Sequence, residues 1–215
     1  MTDFKNNRWP SPIAESRPWT RWWWLGSAVD KQTITELLKK YSEAGIGGVE
    51  ITCIYGVRGR ESESIDYLSQ RWLEMLEHAI AEAKRLGMAV DLPPGSGWRI
   101  GGDFIKEGVS AARLGLEKDD SGKWIAHCRP SDEKVKRAGP GGGGRAFNPF
   151  SRASLEAVVD HFAHSFKELD IRAQFHDSWE YDSDCCPEFF DQFGKRRGYD
   201  LLEHLAALAG EAERE

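Results

Sequence analysis

Four carboxylates crowd into the segment FHDSWEYDSDCC, residues 175–186. The acids, and the two aromatic residues that flank one of them, are Asp177, Glu180, Asp182, Asp184, Trp179 and Tyr181. Neighbouring negative charges and a partly apolar pocket both disfavour ionisation of a carboxyl group. We therefore expect Glu180 to keep its proton near neutral pH and to act as a general acid.

The same crowding has two other interpretations. The oxygen atoms of Asp177, Asp182 and Asp184 would suit Ca²⁺, although their spacing matches no EF-hand loop. Asp182 and Asp184 would equally suit the positive N-terminus of a following helix. Calcium is thus a possible cofactor without assigned ligands, and no organic cofactor is indicated.

Further candidates for substrate binding come at or near the ends of predicted strands, where polar side chains and large rings collect. They are Trp23, Trp24, Glu50, Tyr55, Asp91, Trp98, His176 and Trp179. Aromatic rings fill cores or stack on the apolar faces of sugars. Glu50 has a second interpretation, as a buried partner of an arginine such as Arg99.

Carboxylates and rings, without a Cys/His metal cluster or a Ser-His pair, suit carbohydrate chemistry. There, one carboxylic acid protonates the leaving oxygen and another carboxylate handles the water or the sugar carbon. A non-catalytic carbohydrate-binding fragment, with Trp23, Trp98 and Trp179 as platforms, is the alternative. A sugar isomerase or epimerase would need a base and a metal site that these residues do not supply.

Composition narrows the classes of partner. The 215 residues carry a net charge of −6, with a pI near 5.6, which argues against nucleic acid. Neither a membrane span nor an N-terminal apolar region is present, so the sequence as written predicts a cytoplasmic chain, although a longer parent could be exported. The spacing of the four cysteines predicts free thiols.

Hydrophobic periodicity predicts strands and helices in alternation, four times over. The strands are PWTRWWWLG, Val49–Ile54, MAVDLPPG and DIRAQFHD; the helices begin after Asp30, near Ser69 and at Ser151, and a final pair covers about Pro187–Arg197 and Asp200–Ala209. This order predicts a parallel sheet, whose strand ends build the site. A doubly wound sheet is the alternative, but no G-x-G-x-x-G turn supports it.

The predicted organisation is an N-terminal extension, residues 1–17, followed by one catalytic domain, residues 18–215. Between the third strand and the Ser151 helix, at about 110–148, two short strands surround an Asp-Asp-Ser-Gly turn and lead into a Gly-rich loop. We interpret this stretch as an insertion into the domain.

Several stretches now stand out together. They are RPWTRWWW, AGIGGVEITCIYGV, DLPPGSGWRIGG, KVKRAGPGG followed by NPFSRASLEAVVDHF, HDSWEYD and EFFDQFGKRRGYDLLEHLAALAG. In this order they resemble the catalytic barrel of glycoside hydrolase family 106, the α-L-rhamnosidases, from about Pro18 to Gly210. The resemblance implies a (β/α)₈ TIM-type barrel, inverting cleavage of terminal α-L-rhamnosides, and calcium dependence in part of the family. The family's DS-x-E motif falls on Asp177 and Glu180.

The four predicted βα units are half of the eight that such a barrel contains. We therefore expect the N-terminal half of a barrel, with the catalytic base encoded beyond residue 215, since the two carboxyls of an inverting enzyme stand about 6.5–9.5 Å apart across the sugar. Half a barrel leaves edge strands and barrel-facing side chains uncovered. The isolated chain is accordingly expected to be inactive and to self-associate.

Overall fold

The computed structural model of the protein describes residues 10–177 and 180–211. Its main sheet has four strands, all parallel, in the order β1-β2-β3-β8. These strands are β1 (Trp19–Leu25), β2 (Gly48–Ile54), β3 (Ala89–Leu92) and β8 (Ala173–Gln174). The predicted parallel sheet is confirmed. Each of the four predicted strands pairs with the next predicted strand along the chain.

Three helices connect these strands where the sequence predicts them. They are α1 (Lys31–Glu43), α2 (Gln70–Arg85) and α3 (Arg152–Phe166). Each begins after a residue whose side chain accepts a hydrogen bond from a backbone N–H of the first turn, namely Asp30, Ser69 and Ser151. Such caps satisfy donors that have no partner within the helix, which fixes where the helix starts.

All three helices pack on one face of the sheet. Trp22 of β1 meets Tyr41 of α1 with ring centroids 5.9 Å apart, and Trp24 meets Trp72 of α2 at 6.2 Å. Trp72 in turn contacts Phe166 of α3 at 6.5 Å, so a single apolar layer joins the three helices. One-sided helices and sequential strands do not fit a doubly wound sheet, which places helices on both faces.

The opposite face, here called the inner face, is not covered by a helix of the described residues. Because side chains alternate along a strand, β1 places Trp22 and Trp24 under the helices and Arg21 and Trp23 on the inner face. In-register pairing continues one row of inner-face residues across all four strands, through Arg21, Glu50, Asp91 and Ala173.

One glycine of the inner face is required by packing. The ring of Trp19 lies so close to Gly48 that a Cβ atom at residue 48 would be 2.3 Å from it. The guanidinium of Arg172 covers the same ring at 4.1 Å. The start of β2 therefore has no room for a side chain.

The insertion between β3 and α3 forms two small antiparallel sheets. The predicted hairpin is confirmed as β5 (Ala112–Lys118) paired with β6 (Trp124–Pro130). The second sheet, β4 (Gly101–Gly102) with β7 (Arg145–Ala146), was not predicted, because strands of two residues are too short to show a periodic pattern. The Gly-rich segment is therefore partly paired to the loop that follows β3.

The C-terminal part differs from prediction in detail. The first of the final helices is α4 (Phe189–Arg197), but the second is divided into a 3₁₀ turn (Leu201–His204) and the short α5 (Leu205–Leu208). Residues 1–9 of the predicted extension lie outside the described residues, and Ala14–Ser16 forms one 3₁₀ turn. The four cysteines are unpaired. Within the described ranges no helix is long and apolar enough to cross a bilayer.

Candidate active site

The site is built at the C-terminal ends of the parallel strands, as predicted. Asp177, which follows β8, accepts a hydrogen bond at Oδ2 from the indole Nε1 of Trp98 at 2.8 Å. The same oxygen lies 3.7 Å from Nη1 of Arg21 in β1. A residue of β1 and a residue of the loop after β3 thus hold the carboxylate that follows β8.

A pair of tryptophans lies beside this carboxylate. The rings of Trp23 and Trp98 have centroids 5.6 Å apart and are tilted by 35°. Trp23 is 41% exposed, so part of its ring can contact a ligand. Trp98 is less open, because Arg137 lies over its ring at 5.1 Å and its indole N–H is occupied by Asp177. Trp179, the third predicted platform, lies outside the described residues; of the other two, Trp23 is the accessible one, and Trp98 contacts the carboxylate of Asp177.

Glu50 has an arginine partner, but a different one from the one suggested. Its Oε1 lies 2.9 Å from Nε of Arg21 and accepts a hydrogen bond from Thr52 Oγ1 at 2.8 Å. Arg99 instead pairs with Glu133. The Arg21 guanidinium, which lies 4.6 Å from the ring centroid of Phe175, therefore links Glu50 to Asp177.

Asp91 pairs with Glu50 across the strands, in the row of the inner face that contains Arg21, two residues before Trp23. Its two carboxylate oxygens accept hydrogen bonds from Nε and Nη2 of Arg172 at 3.0 and 2.5 Å. This bidentate pair occupies the groups through which a sugar would be bound. The structure thus favours a structural role for Asp91 over the predicted role in substrate binding.

Trp24 was predicted wrongly as a substrate contact. It is 1% exposed and lies under the helices, against Trp72. The physical reason is the alternation of side chains along β1, which sends Trp23 and Trp24 to opposite faces. Tyr55 and His176, by contrast, are exposed near the site: the Tyr55 N–H donates to Arg137 O at 3.1 Å, and the His176 ring lies 6.5 Å from that of Tyr181.

Glu180 is exposed, whereas the sequence predicted a partly apolar pocket around its side chain. Trp179, the other residue expected to surround it, lies outside the described residues. Tyr181, the next residue, is firmly held: its hydroxyl accepts from the N–H of Ile100 at 2.9 Å, and burial raises its pKa to about 12. Glu180 therefore belongs to a short connection between two anchored residues, Asp177 and Tyr181.

The other two acids of the segment bind protein groups. Asp182 forms an ion pair with Arg113, and Asp184 Oδ1 accepts from the N–H of Leu114 at 2.7 Å. Across residues 10–177 and 180–211, no three His, Cys, Asp or Glu side chains converge in a geometry that could hold a metal ion. Asp177, Asp182 and Asp184 thus do not fit the calcium site considered from the sequence.

The N-terminal part of the chain is similar to a known protein family. Residues 10–113 match the family model of glycoside hydrolase family 106, described as alpha-L-rhamnosidase. The predicted resemblance to family 106 is confirmed. The matched stretch contains β1 to β3 and the Trp98 loop, whereas Asp177 and Glu180 lie beyond it.

Two similar proteins are much longer than this chain. One is a protein of Formosa agariphila that is named "Putative beta-glucuronidase". It is 30% identical over 93 residues, which are 43% of this chain and 8% of that protein. The solved structure of a rhamnosidase from Novosphingobium sp. PP1Y is similar at 22% identity and a TM-score of 0.44, over 51% of this chain and 10% of that one. The chain therefore spans about a tenth or less of either protein.

Several residues that shape the candidate site were missed in the sequence. Arg21 was detectable, because it is a charged residue inside an aromatic strand and shares the face of Trp23. Arg137 and Glu133 had no such pattern, since they lie in irregular segments of the insertion. Only the folded chain brings them to the ends of β2 and β3.

Proposed function

We propose that this chain is the N-terminal half of a (β/α)₈ barrel from a glycoside hydrolase that cleaves terminal α-L-rhamnosides, or related deoxysugars, with inversion. The observation that carries the proposal is the carboxylate of Asp177, which is held between Trp98 and Arg21 at the rim of a parallel sheet in a family 106 match. Sequential strands with helices on one face support the barrel. The matched stretch is only 8% of the similar Formosa agariphila protein, which supports the fragment.

In the proposed reaction, Glu180 donates its proton to the glycosidic oxygen as the bond from that oxygen to C1 breaks. A water molecule then attacks C1 from the opposite face and loses its proton to a base, which gives the inverted sugar. We place that base in the missing half of the barrel. Asp177 faces the developing positive charge, and Trp23 supports the apolar face of the ring.

Binding of the sugar is testable on the chain itself. Titration with methyl α-L-rhamnopyranoside, followed by NMR, should show saturable binding that Asp177→Asn weakens. Asp170→Asn is the matched control, because Asp170 is exposed and pairs with Lys84 of α2. Equal affinities of the two variants would contradict the role of Asp177.

Catalysis is tested by restoring the second half of the barrel. The reconstituted enzyme should release the inverted anomer, and Glu180→Gln should remove hydrolysis of alkyl rhamnosides, which have poor leaving groups, more strongly than that of aryl rhamnosides. The chain alone should show no turnover. Turnover by the chain alone would contradict the half-barrel proposal.

The second candidate, a carbohydrate-binding fragment without catalysis, is favoured by one observation. The Glu180 side chain is exposed, as a residue without a catalytic role on a surface loop would be. Rhamnoside binding by the chain, with no hydrolysis after reconstitution, would select this candidate.

We also propose that the uncovered sheet causes self-association. β1 and β8 are the edge strands of the main sheet, and Leu25 of β1 is 43% exposed on the inner face. Leu25→Lys should reduce the associated fraction seen by light scattering. Leu202→Lys is the control, because Leu202 is also 43% exposed but lies outside the sheet. A monomeric wild-type chain would contradict this proposal.

A further inference from the structure

The segment 181–186, which follows the proposed acid, contains neither helix nor strand, yet it is tied closely to the insertion. The N–H of Asp182 donates to both carboxylate oxygens of Glu133, at 2.8 and 3.0 Å. The N–H of Asp184 donates to the carbonyl of Ala112, at the start of β5, at 3.0 Å. The insertion thus supplies hydrogen-bond partners that the segment lacks on its own.

Side chains add a second set of links. Ser183 Oγ accepts from the N–H of Ala112 at 3.1 Å and donates to Asn148 Oδ1 at 3.1 Å. Asn148 is 1% exposed, and its Nδ2 donates to the carbonyl of Cys185 at 2.7 Å. Unsatisfied buried amides are costly, so this network defines one position for the backbone of the segment.

Glu133 is the centre of this network. Its side chain is only 4% exposed and forms an ion pair with Arg99, whose side chain is 11% exposed. Burial raises the pKa of Glu133, while the positive charge of Arg99 acts in the opposite direction. Because Arg99 follows Trp98, this one carboxylate joins the loop after β3 to the loop after β8.

Two features make a purely stabilising role for this pair a poor explanation. Removing two charges from water costs free energy that their attraction often fails to recover, so buried ion pairs are weak sources of stability. Arg99 also has a φ of +63°, in the left-handed region that disfavours a residue with a side chain. Unfavourable backbone conformations of this kind persist mainly where function requires them.

We propose that Glu133, fixed by Arg99, is a positioning residue for the loop that carries Asp177 and Glu180. The insertion at 110–148 is then a brace for the proposed active site. This inference rests on the proposed function for the roles of those two acids. Trp98 and Arg21 hold the loop at Asp177, and Glu133 holds it at Asp182, so the chain is held on both sides of Glu180.

Positioning matters here because the side chain of Glu180 is exposed. A general acid has to lie within hydrogen-bond reach of the leaving oxygen, and a misplacement of about 1 Å can reduce a rate by about 100-fold. An exposed side chain depends on its backbone for that placement. The brace supplies it from residues that need not contact the sugar.

The first test follows the loop directly by hydrogen exchange in the whole chain. Glu133→Ala removes acceptors from the N–H of Asp182, and a lost hydrogen bond to a charged group is worth about 1.5–3 kcal/mol, so amides at 180–184 should exchange at least about tenfold faster. Glu133→Gln keeps one acceptor oxygen and should have a smaller effect, which also covers failure of the alanine variant to fold.

The control variant is Glu107→Gln, since Glu107 forms an exposed ion pair with Arg145 next to the same insertion. It should leave exchange at 180–184 unchanged. Unchanged exchange in both Glu133 variants, or an equal increase throughout the chain, would overturn the proposal.

The second test separates positioning from stability. Val158→Ala, in α3, removes buried methyl groups away from the loop and serves as a destabilised control. At a temperature where Glu133→Gln and Val158→Ala are equally folded, only Glu133→Gln should weaken binding of methyl α-L-rhamnopyranoside. Equal weakening of rhamnoside binding in both variants would show that Glu133 acts only through stability, and it would overturn the inference. If the wild-type chain binds no rhamnoside, the proposed function fails, while hydrogen exchange still decides whether the brace exists.

Discussion

The two faces of the parallel sheet are built from the same strands but differ in solvent exposure and in charge. On the helix face, Trp22 and Trp24 are 7% and 1% exposed and belong to the apolar core. On the inner face, Trp23 and Phe175 are 41% and 37% exposed and lie beside ion pairs. Adjacent residues of one strand thus lie in the core and at the candidate site, so core stability and the proposed ligand binding can be tested one residue apart.

The largest expected effect comes from the buried tryptophan. Trp24→Ala should lower the free energy of unfolding by about 3–5 kcal/mol, because it leaves a cavity between the sheet and α2. Trp23→Ala, one position earlier, should cost less than about 1 kcal/mol, because its ring is partly in water already. Urea denaturation followed by circular dichroism measures both.

Sugar binding should show the opposite order in these two variants. Trp23→Ala should weaken binding of a rhamnoside to the folded chain, whereas Trp24→Ala should leave the affinity of the remaining folded molecules close to that of the wild type. Similar losses of stability in both variants would show that the faces are less distinct than their exposure indicates.

A smaller effect is expected from the ion pair of the inner face. Arg21 and Glu50 have side chains only 27% and 15% exposed, so breaking the pair leaves a partly desolvated charge. A double-mutant cycle with Arg21→Met and Glu50→Gln should give a coupling energy of about 0.5–3 kcal/mol, measured by urea denaturation. The exposed pair Lys84–Asp170, on the helix side, should show little coupling.

The cycle also tests whether the inner face is a polar surface in its own right. A coupling no larger than that of the exposed control would mean that water already screens Arg21 from Glu50. The row through Arg21, Glu50 and Asp91 would then contribute little to the arrangement of the strands.

The parts of this comparison that could be predicted from sequence are those that depend on local periodicity. Short apolar runs bounded by Gly or Pro, helical spacing and helix caps predicted the sheet, the three helices and the hairpin, because each depends on residues close in the chain. Period-2 alternation, applied within TRWWWL, would have separated Trp23 from Trp24. The error arose from treating the end of the strand as a single site rather than as two faces.

The partners of the charged residues could not be predicted in this way. Arg99 pairs with Glu133, and Arg21 with Glu50, through contacts that depend on how separate segments pack. The exposure of Glu180 is a similar case, since flanking aromatic residues indicate an apolar pocket only if the backbone turns their rings toward the acid. Composition near a residue does not specify that geometry.

The smallest expected effect is a difference in pH dependence between two carboxylates, one in the insertion and one on a helix. Burial raises the pKa of Glu133, whereas the hydrogen bond and charge of Arg85 lower the pKa of Glu82 in α2. A raised native pKa means that the native state binds more protons than the unfolded state, so the contribution of Glu133 to stability falls as pH rises from its ordinary pKa of 4.5 through its native pKa.

Glu82 has the opposite sign, because its contribution is present above its ordinary pKa of 4.5 and is lost as pH falls through the lower native value. Unfolding midpoints of the wild type, Glu133→Gln and Glu82→Gln should therefore be compared between about pH 3 and pH 7. The difference between wild type and variant should decrease with pH for Glu133 and increase for Glu82. Curves of the same sign would mean that Glu133 is better solvated than its position between the two loops indicates, and that the insertion is more open to water than the core that it adjoins.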